Sequence, residues 1–331
     1  MVAYNMRVDK SGNDPFFSVV IPLYNKEKHI YATLNSVLKQ KLENFEIIVV
    51  NDGSTDNGIK EVEKHVDSRI KLVTQPNSGV SKARNLGVDH SNAEYIAFLD
   101  ADDKWGESHL SELSLLIHDW PGKGLYSMGH LIVEGGVVFR PSSELPDNYR
   151  GSITNIFKTY ARNNALVNSS TACVSKAAFL DSGGFPEESG RGEDIYLWLK
   201  LAFEKGMAHN ALCSVLWNRD ATNRSVTNRT GEIPFYFHYL SDLLVSPGLS
   251  DSEKTDVARL ISRLFVVQAA GFRMNNATDA LSTLKRLGFV QKSILYQAYL
   301  LLLLLVPGRL LLLLRTITHR RKKQHVNGIV E

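Results

Sequence analysis

The chain has 331 residues, 44% of them apolar, and a formal net charge of +3, a length that allows two or three domains and ample chain for a buried core. The charge is unevenly placed: residues 309–331 carry six Lys or Arg and one Glu, a net of +5, which leaves −2 on residues 1–308. A body so nearly neutral does not suggest a nucleic-acid-binding face, and two cysteines, Cys173 and Cys213, are too few for a disulfide framework or a cysteine-based metal site while leaving a single bridge open.

Residues 1–15 are polar and mixed in charge, with no apolar core of the secretory kind. They read as a disordered tail on a body that stays in the cytoplasm. Phe17 to Pro22, Glu46 to Val50, Ile70 to Thr74 and Tyr95 to Leu99 then read as buried strands. Between the first two, Ile30, Leu34, Val37 and Leu38 recur at helical spacing and form one apolar stripe. Asp56 to Val66 and Val80 to Asp89 supply further helices. Alternation of this kind builds a mostly parallel sheet covered on both faces, with ligands at the carboxyl ends of its strands.

Each strand is followed by a polar loop: Leu23-Tyr24-Asn25-Lys26, Asn51-Asp52-Gly53-Ser54-Thr55-Asp56, Gln75-Pro76-Asn77-Ser78-Gly79 and Asp100-Ala101-Asp102-Asp103. Turn and cap preferences account for one or two such loops, and less well for four on one sheet edge. The last loop brings three carboxylates to a strand end, where a hard cation such as Mg²⁺ or Mn²⁺ sits between one or two acids and substrate phosphates. Alternation along that loop turns Asp100 and Asp102 the same way and Ala101 elsewhere.

Beyond Trp105 the alternation is lost. Residues 106–230 read as a second half-site and residues 231–291 as a helical extension. Residues 292–331 hold an apolar run, Ile294 to Val306, a second block, Leu310 to Leu314, and the basic cluster Arg315, Arg320, Arg321, Lys322 and Lys323. Pro307 and Arg309 interrupt what would otherwise be a spanning length of about 20 apolar residues. An interfacial segment on an anionic membrane fits better, since one apolar segment plus one basic patch meets the two-signal need of stable peripheral anchoring. The expected location is the inner face of the cell membrane.

The ordered set Val19-Val20-Ile21-Pro22-Leu23-Tyr24-Asn25, Val50-Asn51-Asp52-Gly53-Ser54-Thr55-Asp56, Asn77-Ser78-Gly79 with Ala83-Arg84-Asn85-Leu86-Gly87, Phe98-Leu99-Asp100-Ala101-Asp102-Asp103 and Gly192-Glu193-Asp194 resembles the inverting family 2 glycosyltransferases over about residues 17–230. The resemblance implies a GT-A fold: a Rossmann-like, mostly parallel α/β sheet flanked by helices, divided here into residues 16–105 for the nucleotide-sugar and 106–230 for the acceptor. It also implies a UDP-sugar donor, Mn²⁺ or Mg²⁺ as cofactor, and a saccharide acceptor in polysaccharide or lipopolysaccharide synthesis. Membrane placement favours a lipid-linked acceptor.

By the same resemblance, Asp52 bonds the uracil ring, Tyr24 lies near base and ribose within a first loop that includes Pro22 and Asn25, and Lys82, Arg84 and Asn85 touch the donor. Asp100-Ala101-Asp102 matches the Asp-x-Asp element, with Asp102 as metal ligand and Asp100 on ribose or sugar hydroxyls. Asp194 is the implied general base, with Glu193, Arg191 and Trp198 on the acceptor side, and Arg219 or Arg224 is placed to reach phosphate oxygens. A nucleotidyltransferase would show a Gly-rich, basic loop where this chain has Leu23 to Glu27, and a catalytically inactive membrane-recruited binding protein would have no need of both Asp102 and Asp194.

Overall fold

The computed structural model describes residues 14–163, 166–189, 191–221, 233–274, 285, 287–291 and 294–305. The amino-terminal tail before residue 14, Arg224, and the second apolar block with its basic cluster lie outside the described residues.

The first half alternates as its sequence pattern requires: β1 (Phe17–Leu23), α1 (Ile30–Leu38), β2 (Phe45–Asp52), α2 (Gly58–Glu63), β3 (Ile70–Gln75), α3 (Val80–Asp89) and β4 (Tyr95–Phe98). β1 pairs in parallel with both β2 and β4, and β2 with β3. Two expectations need correction. The second helix is a short turn and a half rather than Asp56 to Val66. β3 is an edge strand, not a buried one, so Lys71, Leu72 and Thr74 face solvent.

The second half contributes β5 (Lys104–Trp105), α4 (His109–Asp119), β6 (Leu125–Glu134), β7 (Val137–Phe139), β8 (Arg150–Ile153), α5 (Ile156–Arg162), β9 (Ala172–Ser175), α6 (Lys176–Asp181), α7 (Glu193–Lys205) and β10 (Met207–Asn218). These extend one sheet in the order β3-β2-β1-β4-β9-β6-β10-β5. β9 runs antiparallel between β4 and β6, while β6 and β10 pair in parallel. The sheet is therefore continuous from the β3 edge into the second half of the chain. Carboxy-terminal to it lie α8 (Tyr236–Val245), α9 (Asp251–Met274), α10 (Gly288–Gln291) and α11 (Ile294–Leu305).

Strand periodicity sorts the core onto the two faces. Val20, Ile96 and Phe98 join α5, α7, α8 and α9 on one side, whereas Val19, Ile21, Ala97 and Leu99 join α1 and α4 on the other. Phe98 packs against Phe185 and Trp198 directly behind the acid loop, with ring centroids 5.3 and 5.8 Å away. Cys173 and Cys213 are both free thiols, so the single bridge left open does not form.

Phe98→Ala is expected to cost about 3–5 kcal/mol in urea unfolding, the range for an aromatic truncated in a packed core. Leu72→Ala on the exposed edge strand should cost less than about 1 kcal/mol. Similar losses at the two positions would contradict the assignment of core and edge.

Candidate active site

The four polar loops do open on one sheet edge, where they are stapled to each other. Asn25 adopts the left-handed conformation, φ 51°, that a short amide side chain tolerates. Its Oδ1 accepts from the Thr55 amide at 2.8 Å, and its own amide donates to Ser54 Oγ at 3.1 Å. The first two loops are thereby one unit. Tyr24 stands beside them, partly exposed.

Asp52 is buried at the end of β2. Its Oδ1 accepts from Gln75 Nε2 at 2.7 Å and the Ser78 amide at 2.8 Å, and its Oδ2 from the Gly79 amide at 2.9 Å. It thus holds the loop that opens α3. A carboxylate accepts about four hydrogen bonds, and three are filled here among the described residues.

Arg84 occupies the second turn of α3, and its side chain is only 5% exposed. Its NH2 donates to Asp100 Oδ1 at 2.8 Å and its NH1 to Glu193 Oε1 at 3.4 Å. The guanidinium also lies over the Phe185 ring, 5.2 Å from the centroid. It therefore bridges the acid turn after β4 and the acids that open α7, and faces protein rather than solvent. Asn85 turns the other way: its amide donates to the Phe185 carbonyl at 2.9 Å and accepts from the Phe185 amide at 3.0 Å. That contact braces the turn ahead of the acid pair. Lys82 is half-exposed beside Glu187.

The carboxylates after β4 have three different settings. Asp100 is partly open and paired with Arg84. Asp102 Oδ2 pairs with Lys26 Nζ at 2.7 Å. Asp103 is buried, with Oδ1 accepting from the Asn218 amide at 2.8 Å and Oδ2 from Ser170 Oγ. Ser170 Oγ in turn accepts from the Asp100 amide at 3.0 Å. Asp103 thus ties the acid turn to β10 and to the segment before β9, which answers why a third acid stands there. Burial, then the charges of Asp100 and Asp102, raise its carboxyl well above the usual range. Ala101 points into the core and offers only its carbonyl, which accepts from Thr33 Oγ1. It is not a ligand-facing residue.

α7 begins after Gly192, whose φ of 78° is the left-handed region. A side chain there would also meet Tyr236 and Pro234 at 2.8 and 2.9 Å, so glycine is required twice over. Glu193 and Asp194 fall in the first turn, where the helix dipole favours their charge, and Asp194 Oδ1 accepts from the Ile195 amide at 2.7 Å. Burial pushes the Glu193 carboxyl up to about 7, reinforced by Asp194 and opposed by Arg84. Asp194 is raised as well, by burial first, against the pull of Arg84.

Arg191 closes this turn through its carbonyl, which accepts from the Phe235 amide at 2.9 Å. Trp198, expected on the acceptor side, is instead fully buried beneath Phe98 and Phe185. α7 turns that face onto the sheet, so the indole supports the site from behind. Arg219 stacks on Trp217 at 4.2 Å near Glu134.

Five carboxyl groups, Asp100, Asp102, Asp103, Glu193 and Asp194, crowd around two basic side chains, Arg84 and Lys26. An incoming diphosphate would be repelled by an edge so charged unless a cation came with it. Asp102 suits that cation: among the described residues its carboxylate hydrogen bonds fall on Oδ2, leaving Oδ1. No group of three or more His, Cys, Asp or Glu among the described residues is arranged to hold a metal unaided. A Mg²⁺ or Mn²⁺ ion completed by substrate phosphates and water needs no such group.

Residues 18–182 match the sequence model of the family described as glycosyl transferase family 2. The chain belongs to that family. An uncharacterized glycosyltransferase of Rickettsia bellii is 33% identical over 192 residues, 57% of this chain and 26% of that protein. The chain spans only about a quarter to a third of the length of the first curated relatives it matches. The E. coli protein WfgD, named as a UDP-Glc:α-D-GlcNAc-diphosphoundecaprenol β-1,3-glucosyltransferase, is 27% identical over 71% of this chain and 89% of its own. The crystal structure of S. aureus TarS residues 1–349 with UDP-GlcNAc has the same GT-A architecture, with a TM-score of 0.67 and 21% identity over 80% of this chain and 78% of that one.

Sequence motifs pointed to the acids that gather at this edge but not to their partners. Lys26 sits one residue past Asn25, in a loop already marked as functional, and its charge beside four polar loops was the available signal. Ser170 and Asn218 lie 67 and 115 residues from Asp103 and carry no local signal.

Because the Glu193 carboxyl is raised from 4.5 to about 7, its contribution to stability is complete below pH 4.5 and is lost as pH rises through about 7. Arg84 limits that loss. Arg84→Met should therefore destabilise the protein by about 3–5 kcal/mol near pH 8, where the acids are ionised, and distinctly less near pH 5, where Glu193 is protonated. Equal losses at both pH values, read from thermal melts, would count against the bridge.

Proposed function

We propose that the protein is a metal-dependent inverting glycosyltransferase that moves a sugar from a UDP-linked donor to a lipid-linked saccharide acceptor in cell-surface polysaccharide synthesis. The observation that carries this reading is the pairing, across buried Arg84, of a donor-side acid with an acceptor-side acid pair in a family 2 domain. WfgD, which by its name takes UDP-glucose and a diphosphoundecaprenol-linked acceptor, supports the choice of donor and acceptor, as does the UDP-GlcNAc bound by TarS.

In this mechanism Asp52 accepts the uracil imide hydrogen at its remaining site and Tyr24 packs beside the base and ribose. Asp100, held by Arg84, accepts from ribose or sugar hydroxyls. Asp102 would hold a Mn²⁺ or Mg²⁺ ion, which would supply Lewis-acid neutralisation of the diphosphate. Asp194 takes the acceptor hydroxyl proton as that oxygen forms a bond to the anomeric carbon. The bond from that carbon to the diphosphate breaks on the opposite face, so the configuration inverts. A raised carboxyl pKa makes Asp194 a better base near neutrality than an ordinary aspartate. Glu193, sharing Arg84 with Asp100, keeps the donor and acceptor acids in register.

The membrane is the proposed place of work. No described helix is long and apolar enough to cross a bilayer. α11 nonetheless buries Leu300 and Leu303 against the body while Ile294, Leu295, Leu301, Leu302 and Leu305 are exposed. An exposed apolar face that leads in sequence to a basic cluster suits an anionic lipid surface.

Asp194→Asn should lower transfer by about 10²–10⁴-fold, the range for a lost general base, and Asp102→Ala should abolish it, with thermal melts near wild type in both. UDP release from UDP-glucose or UDP-GlcNAc with a diphosphoprenyl-linked sugar and Mn²⁺ is the assay, and full activity in either variant would sink the role given to it. The wild-type rate should rise with pH through a range above that of an ordinary aspartate, since the base, whose carboxyl burial raises, acts in its ionised form. In flotation with phosphatidylglycerol-rich vesicles the full chain should rise with lipid and a chain lacking residues 292–331 should not.

A further inference from the structure

Two tyrosines on helices packed around Asp194 carry hydroxyls that the fold does not use. Tyr160, on α5, and Tyr236, which opens α8, are 7% and 5% exposed, and among the described residues neither hydroxyl takes part in a hydrogen bond. Both side chains stand on fixed ground. Asn155 caps α5, its Oδ1 accepting from the Lys158 amide at 2.9 Å, while its Nδ2 donates to Asp256 Oδ2 of α9 at 2.8 Å. The Tyr236 ring lies so close to Gly192 that a side chain there would meet it at 2.8 Å, and the Phe235 amide donates to the Arg191 carbonyl at 2.9 Å. Tyr236 is thus packed on the turn that delivers Asp194.

Both phenols also feel the charge of Asp194. Burial, and then the Asp194 carboxylate, raise Tyr160, with Tyr236 as a further neighbour. Burial raises Tyr236 too, against the pull of Arg191 and with Asp194 adding to the rise. Each phenol therefore stays protonated and can donate one hydrogen bond while accepting another. Neither bonds Asp194 itself, whose Oδ1 accepts from the Ile195 amide. An unpartnered phenol alone signals nothing, as Tyr239 shows one turn further along α8: its enclosed hydroxyl has no partner either, but it senses Glu204 and Tyr196. What sets Tyr160 and Tyr236 apart is that they come from two helices to the same carboxylate. Phenylalanine would fill either place without the cost of a buried hydroxyl left unbonded.

The hydroxyls of a saccharide ring stand side by side, so an oxygen presented to Asp194 brings its neighbours with it. Two neutral phenols beside the base match such oxygens, since each can donate and accept. We propose that Tyr160 and Tyr236 are specificity-determining residues of the acceptor side, which bind the saccharide oxygens flanking the attacking hydroxyl and so decide which oxygen Asp194 deprotonates. These roles rest on Asp194 being the base, and they assign the choice of linkage position to α5 and α8. A site built to bond a hydroxyl discriminates strongly against a ligand that lacks it or presents it elsewhere.

The test uses the full chain with Mn²⁺, UDP-glucose and a GlcNAc-diphosphoprenyl acceptor, with UDP affinity read by calorimetry and the product linkage by nuclear magnetic resonance. Tyr160→Phe and Tyr236→Phe should each raise the acceptor KM about tenfold, the order of one lost hydrogen bond, and add a second linkage isomer to the product. UDP affinity should stay within about twofold of wild type. The melting temperature should not fall, because the missing hydroxyl held nothing in the free protein. Tyr239→Phe should leave both acceptor KM and linkage as they are in wild type. The roles are overturned if both variants keep the wild-type KM and a single linkage, if KM rises only together with a fall in melting temperature, or if Tyr239→Phe raises KM equally. Failure of the underlying reading looks different: Asp194→Asn would then transfer at the wild-type rate, or wild type would transfer nothing to this acceptor, and the tyrosine roles would fall with it.

Discussion

The guanidinium of Arg84 is the contact on which the site depends. It is buried, and a buried charge is costly unless partners surround it. Its partners come from distant parts of the chain: Asp100 from the end of β4, and Glu193 from the start of α7, 109 residues further on than Arg84 itself. α3 supplies the arginine, the sheet supplies the first acid and the second half supplies the other. No two of these can shift independently without leaving a charge unpaired in a low-dielectric setting. The distance between the acid turn after β4 and the start of α7 is thus set by electrostatics, and Phe98, Phe185 and Trp198 support that arrangement by packing behind it.

A second tie runs beneath the first. Asp103 joins the acid turn to β10 through the Asn218 amide and to the segment before β9 through Ser170. The three carboxylates after β4 therefore divide by depth: the buried one holds the turn, the partly open one meets arginine, and the one between meets lysine. A single tetrapeptide reaches three sets of partners because its side chains leave a turn in different directions. Glycine at 192 does a similar service for the acceptor acids, since only a residue without a side chain can turn left-handed against Tyr236 and Pro234.

Charge also explains why the acids differ in proton affinity. Glu193 and Asp194 are adjacent and buried, so their ionised forms oppose each other, and one arginine offsets only part of that cost. A surface pair of the same residues would be ordinary acids. The same burial that raises their proton affinity costs stability at high pH.

Much of this was legible from the amino acids in order. The alternation from Phe17 to Leu99 specified parallel strands and helices because apolar periodicities of 2 and 3.6 leave few other ways to bury those residues, and the polar loops then had to open on one edge. Asp52, Asp100, Asp102, Glu193 and Asp194 could be named because each lies at an element end within a motif. What the sequence could not decide was partnership. Which cation meets which acid, that Asn85 braces Phe185, that Trp198 is a core residue and that β3 lies at an edge all depend on where strands far apart in the chain pair. β9, entering antiparallel between β4 and β6, is the element that makes those choices. Its position follows from the best joint packing of two halves, a property of the whole core rather than of any local run of residues.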